Sequence, residues 1–202
     1  MKPQPKAQLP ALSLRERKKA KTRVAIQRHA LRLFQKQGYD ETTIEQIADA
    51  AEVSPSTFFR YFPTKEDVVL WDNYDPLIVD AIREQSEDVS PIRALRQAFM
   101  TVWQEMSEEA IGEQFQRTAL VVSVPELRAR ALEQFTGTVQ LLAEVLAERT
   151  GREPNDPAVR NLSGAVIGVA FAIMITISEN PTADIAKLFD DALAHLEAGL
   201  PL

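Results

Sequence analysis

The sequence predicts an all-α protein. Apolar residues recur at spacings of three and four along nearly the whole chain, with almost no strand-like alternation. Helix-start signals, a Ser, Thr or Asp followed by Pro or by an acid or amide three residues on, recur at regular intervals. With 202 residues, 45% hydrophobic and only 7 Gly, the chain can bury a sizeable core and leaves little room for low-complexity sequence.

Ser13 with Glu16 forms a capping box that opens a first helix through Ile26, Ala30, Leu33 and Phe34, stopped by Gly38. Thr43 with Gln46 opens a short second helix carrying Ile44, Ile47 and Ala48. Ser54 as N-cap and Pro55 at the first helical position open a third, which ends near Phe62 and Pro63. Thr64 with Asp67 opens a fourth, expected to run through Val68, Trp71, Leu77, Ile78 and Ile82 with Pro76 inside it as a kink or break. Ser90 and Pro91 start a stripe of Ile92, Leu95, Phe99, Val102 and Met106, and the next helix carries Ile111, Phe115, Ala119 and Val122. Pro125 starts a long helix with Leu127, Ala131, Phe135, Leu142 and Leu146 on one face, closed by Gly151. Asp156 and Pro157 start another, and a last helix from about Thr182 carries Ile185, Phe189, Leu193 and Leu196.

Between Arg160 and Glu179 no residue is charged, which touches the length of a membrane span. Asn161, Ser163, Thr176 and Ser178 within it, and amphipathic helices on both sides, favour a buried packing helix instead, with Gly164 and Gly168 allowing close approach of a neighbour. No membrane partner is expected.

Charge divides the chain. Residues 1–65 carry 13 Lys and Arg against 6 Asp and Glu, whereas the remainder carries 10 against 23. A basic front on an acidic body suits a protein whose small N-terminal part meets a polyanion; a solvated charged face gives the same count. Residues 1–10 are polar and Pro-rich with no apolar stretch, so no secretory signal is expected and the cytoplasm is the default compartment. There is no Cys, and His29 and His195 stand in no ligand spacing, so no metal site and no cofactor are expected.

The block TTIEQIADAAEVSPSTFFRYF, residues 42–62, reads as two short helices joined at Ala51, Glu52 and Val53, a helix-turn-helix with Ile44, Ile47, Ala48, Val53 and Phe58 as its inner set. Its second helix offers Ser56, Thr57, Phe59, Arg60 and Tyr61, a mixture of hydroxyls, rings and a cation suited to phosphates and base edges in a major groove. Arg15, Arg17, Lys18, Lys19, Lys21 and Arg23 crowd the start of the first helix, where cations oppose the helix dipole, so an external anion explains them better than helix stability does.

Residues 22–70, with R-x-x-I-x-x-x-A-x-x-L-F-x-x-x-G-Y from Arg23 to Tyr39 followed by TTIEQIA, VSPSTFFRYF and TKEDVV, resemble the DNA-binding domain of the TetR family of bacterial transcriptional regulators. The resemblance implies a homodimer, usually a repressor of a DNA operator, whose larger helical domain dimerises and holds a small-molecule pocket; the aromatic residues of the body lead us to expect a small, mostly apolar effector. The resemblance also implies a tail at 1–13, a DNA-binding domain at 14–63, and a ligand-binding and dimerisation domain at 64–202. It implies DNA contacts for Thr42 or Thr43, Ser56, Thr57, Tyr61 and Lys65, and the basic run and second short helix add Lys19, Lys21, Arg23, Ser54, Pro55, Phe59 and Arg60 as expected contacts. Phe59 stands where the family usually has Tyr, so a phosphate hydrogen bond is lost. Glu52 stands where it usually has Gly: either the turn stores about 1 kcal/mol or its geometry differs.

The acidic body offers Trp71, Tyr74, Phe99, Trp103, Phe115, Phe135 and Phe171 as core or as ligand-pocket aromatics. Arg117 is either outward or ion-paired, or a partner for an anionic ligand group. Gly164, Gly168, Phe189, Leu193 and Leu196 are expected at the dimer interface. Asp72 with Asp75, Glu108 with Glu109, and Asp190 with Asp191 read as solvated acidic faces, so an all-helical enzyme is the weaker alternative. A non-specific architectural DNA binder is the other, and it leaves the large acidic body unused.

Overall fold

The computed structural model describes residues 13–72, 74–180 and 182–201. The tail expected at 1–13 lies outside the described residues except for Ser13. Ten α-helices and no strand occur among the described residues. The chain divides into two compact units, Met1–Val68 and Val69–Leu202.

In the first unit, α1 (Leu14–Gln37) opens on the expected capping box: Ser13 Oγ accepts from Glu16 N at 3.2 Å and Glu16 Oε2 accepts from Ser13 N at 2.9 Å. It stops at Gly38, whose φ of 90° suits a residue without Cβ. Helix α2 (Ile44–Ala50) repeats the device with Thr43 and Gln46, and α3 (Pro55–Tyr61) has Ser54 accepting from Thr57 N at 3.1 Å. Ile26, Ala30, Phe34, Ile47, Phe58 and Phe62 are buried in this unit, and buried Gln27 donates Nε2–H to Val68 O at 2.9 Å.

The turn between α2 and α3 is held by Val53 N–H donating to Ala48 O at 2.9 Å, and it puts Glu52 at φ 54°. The left-handed turn is therefore kept with a residue that resists it. Glu52 is exposed, so Glu52→Gly should raise the stability of this unit by about 0.5–1 kcal/mol, the relief of strain exceeding the added unfolded-state freedom of Gly. A higher denaturant midpoint checks this; a lower one would show that the Glu52 side chain stabilises the turn.

Helix α4 (Lys65–Leu70) begins where Thr64 and Asp67 cap each other, Thr64 N donating to Asp67 Oδ2 at 3.0 Å and Asp67 N to Thr64 Oγ1 at 3.2 Å. It ends at Leu70, so the kink or break expected at Pro76 is a break, and it falls a few residues earlier, before Asp75. A new helix, α5 (Asp75–Arg83), starts with Pro76 in its first turn, where the missing N–H is not needed. Asp72 Oδ1 accepts from Tyr74 N at 2.7 Å in the break, a local bond that competes with continued helix.

The second unit continues with α6 (Pro91–Glu105), α7 (Glu108–Ser123), α8 (Pro125–Thr150), α9 (Pro157–Glu179) and α10 (Ile185–Glu197). Ile82, Leu95, Ala98, Leu142, Val145, Leu146, Val159 and Leu193 form its main core. Ion pairs bind the outer edges: Arg83 reaches both oxygens of Glu148 at 2.9 and 3.1 Å, and Arg96 joins α6 to Asp190 and Glu197 on α10. Asp190 is thus ion-paired rather than only solvated.

Helix α9 is long and apolar enough to cross a membrane by length and composition. Val159, Ser163, Val166, Ile173 and Ile177 are buried, but Gly168 and Ala172 are exposed and Ile175 is 51% exposed. The helix expected to be buried all round is covered on one face within this chain.

Candidate nucleic-acid interface and cavity

On α3 the 3.6-residue period separates two roles within seven residues. Phe58 is fully buried and fixes the helix on its neighbours, while Phe59 is 51% exposed and Ser54, Pro55, Ser56 and Arg60 are exposed beside it. Thr57 and Tyr61 are half-buried. The hydroxyls form a local cluster, Ser54 Oγ lying 2.9 Å from both Ser56 Oγ and Thr57 Oγ1. The Arg60 guanidinium lies over the Tyr61 ring at 5.6 Å, which leaves its N–H groups free to meet an anion. Such a surface, donors and rings on a rigid short helix, can hydrogen-bond phosphates and touch base edges.

Lys19 and Lys21 on α1 are exposed. Three other expected contacts are placed differently. Thr42 is 1% exposed, and its hydroxyl donates to Gly38 O at 2.7 Å, closing the loop after α1. Lys65 donates Nζ–H to Tyr39 O at 2.8 Å and Thr42 O at 3.3 Å, and its ammonium stands 4.1 Å from the centre of the Tyr39 ring. Arg23 is half-buried over the Phe62 ring at 5.0 Å. Thr42 and Lys65 thus brace the loop after α1 by bonding its carbonyls, while Arg23 lies against the Phe62 ring with part of its surface still open. Thr43 is exposed, with its hydroxyl engaged as the N-cap of α2.

The second unit holds a cavity of about 390 Å³, within the range of small-molecule sites. Six of the eight aromatic and cationic residues expected to line a pocket do so: Tyr74, Phe99, Trp103, Arg117, Phe135 and Phe171. Trp71 and Phe115 do not line it; Phe115 packs on the cluster of Ile173, Ile177 and Ile185, and Trp71 supplies its carbonyl to Arg117 Nη1 at 3.3 Å. Phe189, expected at a dimer interface, instead stacks on Phe99 with ring centres 4.1 Å apart and lines the cavity. Leu193 is 3% exposed in the core, and Leu196 packs against that core. Leu193 is therefore taken up by the core of its own chain, while Phe189 and Leu196, packed on one side, keep part of their surface. Gly164 and Gly168 keep the expected freedom: a Cβ at either would meet nothing within 4 Å in this chain.

The polar end of the cavity lies at the break between α4 and α5. Arg117 forms a partly buried ion pair with Asp72 through Nη2 and donates Nε–H to Gln114 Oε1 at 2.7 Å. Asp75 also lines the cavity and is exposed, with protein atoms crowding one side of its carboxyl. Withdrawal from bulk water, then the neighbouring Asp72 charge, push its carboxyl up to about 6, with Arg117 opposing them. Asp72 is thus an ion-paired cavity group, while Asp75 lines the cavity at an exposed position and keeps its contact with solvent. The sequence marks Asp72, Asp75 and Arg117 separately but gives no sign that they meet, since Arg117 lies 45 residues from Asp72. Among the described residues no group of three or more His, Asp or Glu could hold a metal ion.

Comparisons with known proteins agree with this division. A family model described as "Bacterial regulatory proteins, tetR family" matches residues 26–70, and one described as "MftR C-terminal domain" matches residues 89–201. The HTH-type transcriptional regulator TcmR of Streptomyces glaucescens is 35% identical over 150 residues, covering 71% of this chain and 66% of that protein, just under two thirds of its length. Among solved structures, the Thermus thermophilus transcriptional repressor FadR in complex with lauroyl-CoA is 26% identical with a TM-score of 0.57, covering 89% of this chain and 95% of that one. The fatty acid degradation regulator FadR from Bacillus halodurans, 23% identical, superposes with a TM-score of 0.60 over 88% and 99% of the two chains and shows the shared fold.

Proposed function

The chain belongs to the TetR family of bacterial regulatory proteins, and from that premise we propose that it is a homodimeric, sequence-specific DNA-binding repressor released from a palindromic operator by a small, mostly apolar effector. The observation that carries the reading is the α3 surface. A helix-turn-helix with a well-packed inner face exposes Phe59, Arg60 and Ser56 together on one rigid helix, Ser56 set by Ser54 and Phe59 edge-on to Phe58. The cavity of the second unit supports the effector, and the exposed strip Gly168, Ala172 and Ile175 of α9 supports a second copy as its cover. Covered in this way, α9 serves a cytoplasmic protein rather than a membrane. Regulation without catalysis is the reading, in line with the relatives named above.

The chain passes from one unit to the other within α4, and Leu70 at the end of that helix lines the cavity. A ligand that displaces Leu70 acts on the helix entering the DNA-binding unit, with the break at residues 71–74 next in the chain. Release requires the ligand to favour the state that binds DNA poorly, and a coupling of about 1–3 kcal/mol weakens DNA binding roughly 5- to 150-fold.

Selection from randomised duplexes tests the reading. The expected product is a palindrome with half-site centres about one helical turn, or a multiple, apart. Uniform coating without an enriched sequence would show an architectural DNA binder instead, and the regulator reading would be lost.

A further inference from the structure

The cavity wall carries three charged side chains among its residues, Asp72, Asp75 and Arg117. The single cation is already used: Arg117 is ion-paired with Asp72 and bonded to Gln114 and to the Trp71 carbonyl. Both Asp72 oxygens are engaged, one by Arg117 and the other by Tyr74 N–H. Asp75 accepts no hydrogen bond from a described residue. From α7 the wall adds the neutral Gln114 and Thr118, from α8 the neutral Gln134 and Thr138, and from α6, α9 and α10 apolar groups such as Trp103, Phe171 and Phe189. The phenol of Tyr74 is the remaining titratable group.

We propose that the effector is a lipophilic monocation, a protonated amine on an aromatic body, with Asp75 as its counterion. The proposal rests on the reading of this cavity as the effector site and deepens it. An anionic group entering here would face the Asp75 carboxylate and find a cation only by breaking the Arg117–Asp72 pair, which leaves a partly buried charge unpartnered. A neutral apolar guest would offer no counter-charge to the exposed Asp75 carboxylate at the cavity's edge. An ammonium group meets that unmet acceptor, and the stacked Phe99, Trp103 and Phe189 rings can receive the aromatic body and add cation–π attraction. The polyanionic head of the lauroyl-CoA bound to Thermus thermophilus FadR would find no free cation in this wall.

Calorimetric titration of the full chain with three probes sharing one ring system, anthracenylmethylamine, anthracenemethanol and anthracene carboxylate, tests the class. At about pH 7.5 the amine should bind at least about tenfold tighter than the alcohol, with the carboxylate weakest. Asp75, titrating at about 6, becomes protonated on acidification, so the amine's lead over the alcohol should shrink about tenfold by about pH 5. Asp75→Asn should erase the lead. Asp80→Asn, on the same helix but at an exposed pair with Arg83, should keep it. Folding of Asp75→Asn is checked by its melting temperature, which should rise at neutral pH. The wild-type carboxyl titrates higher folded than unfolded, so the native state gains stability as pH falls below about 6 and the variant's advantage fades there. Tightest binding of the carboxylate, or an amine lead that survives Asp75→Asn, overturns the cation assignment and leaves the effector site standing. No binding by any of the three removes the effector-site reading, and the assignment falls with it.

Discussion

Raising the salt from about 50 to about 200 mM should weaken operator binding by about 10³-fold. Among the exposed cations of each DNA-binding unit, which include Arg15, Arg17 and Lys18, the expected DNA contacts are Lys19, Lys21 and Arg60, six in a dimer. If these six neutralise six phosphates, counterion release gives a slope of log affinity on log salt of about −5, hence about 10³ over a fourfold change. Lys19→Ala with Lys21→Ala removes four of the six in the dimer and should flatten the slope by about 4 while weakening all sequences alike. Lys65→Ala should behave differently. Its ammonium is bonded to the Tyr39 and Thr42 carbonyls, so its loss should lower stability by about 1–2 kcal/mol and leave the slope as it was. Fluorescence anisotropy across a salt series, beside thermal melts, separates the two. A slope unchanged in the double lysine variant would place the phosphate contacts elsewhere.

The features legible in the sequence are those whose cause is local. Ser13 with Glu16, Thr43 with Gln46, and Ser54 with Pro55 fix the starts of α1, α2 and α3 within a single turn, and the structure has each one. The break after Leu70 was also written locally, in Asp72 and in the Asp75–Pro76 pair. Read as a proline inside a helix it gives a kink or break at Pro76, whereas read as the first turn of a new helix it places the break before Asp75. Thr42 and Lys65 show a different limit. Their identity suits a phosphate contact, yet the loop after α1 needs a buried hydroxyl and a cation to close its carbonyls, a requirement visible only once Gly38, Tyr39 and Thr42 are brought together. Likewise the period of α10 marks Phe189 and Leu193 as an apolar face without saying what covers it. Phe99 and the core of the same chain do. The cavity's polar end depends on a contact between Asp72 and Arg117 that no local pattern encodes.

Replacing Gly168 by Leu should convert the dimer to a monomer and cost about 10²-fold or more in operator affinity. The α9 surface explains both effects. Its uncharged stretch leaves Gly168, Ala172 and Ile175 on an exposed face, and an apolar strip of that kind on a helix is covered in solution by another surface. Small residues at Gly164 and Gly168 let a second helix approach closely, and a leucine side chain at Gly168 would hold it away. Within one chain the substitution is harmless, since a Cβ at Gly168 meets nothing within 4 Å and Leu is the better helix former by about 0.5–1 kcal/mol. A failure to associate therefore reads on the interface and not on the fold. Operator affinity follows because two linked heads bind a palindrome with an effective concentration that separate heads lack, an advantage of about 10²–10⁴. Ile175→Asp, which sets a carboxylate on the same strip, should act alike. Sedimentation velocity at micromolar concentration gives the oligomeric state, and gel shift on the selected palindrome gives the affinity. If the Gly168→Leu variant stays dimeric with full operator affinity, the second copy docks elsewhere and the exposed strip of α9 needs another occupant.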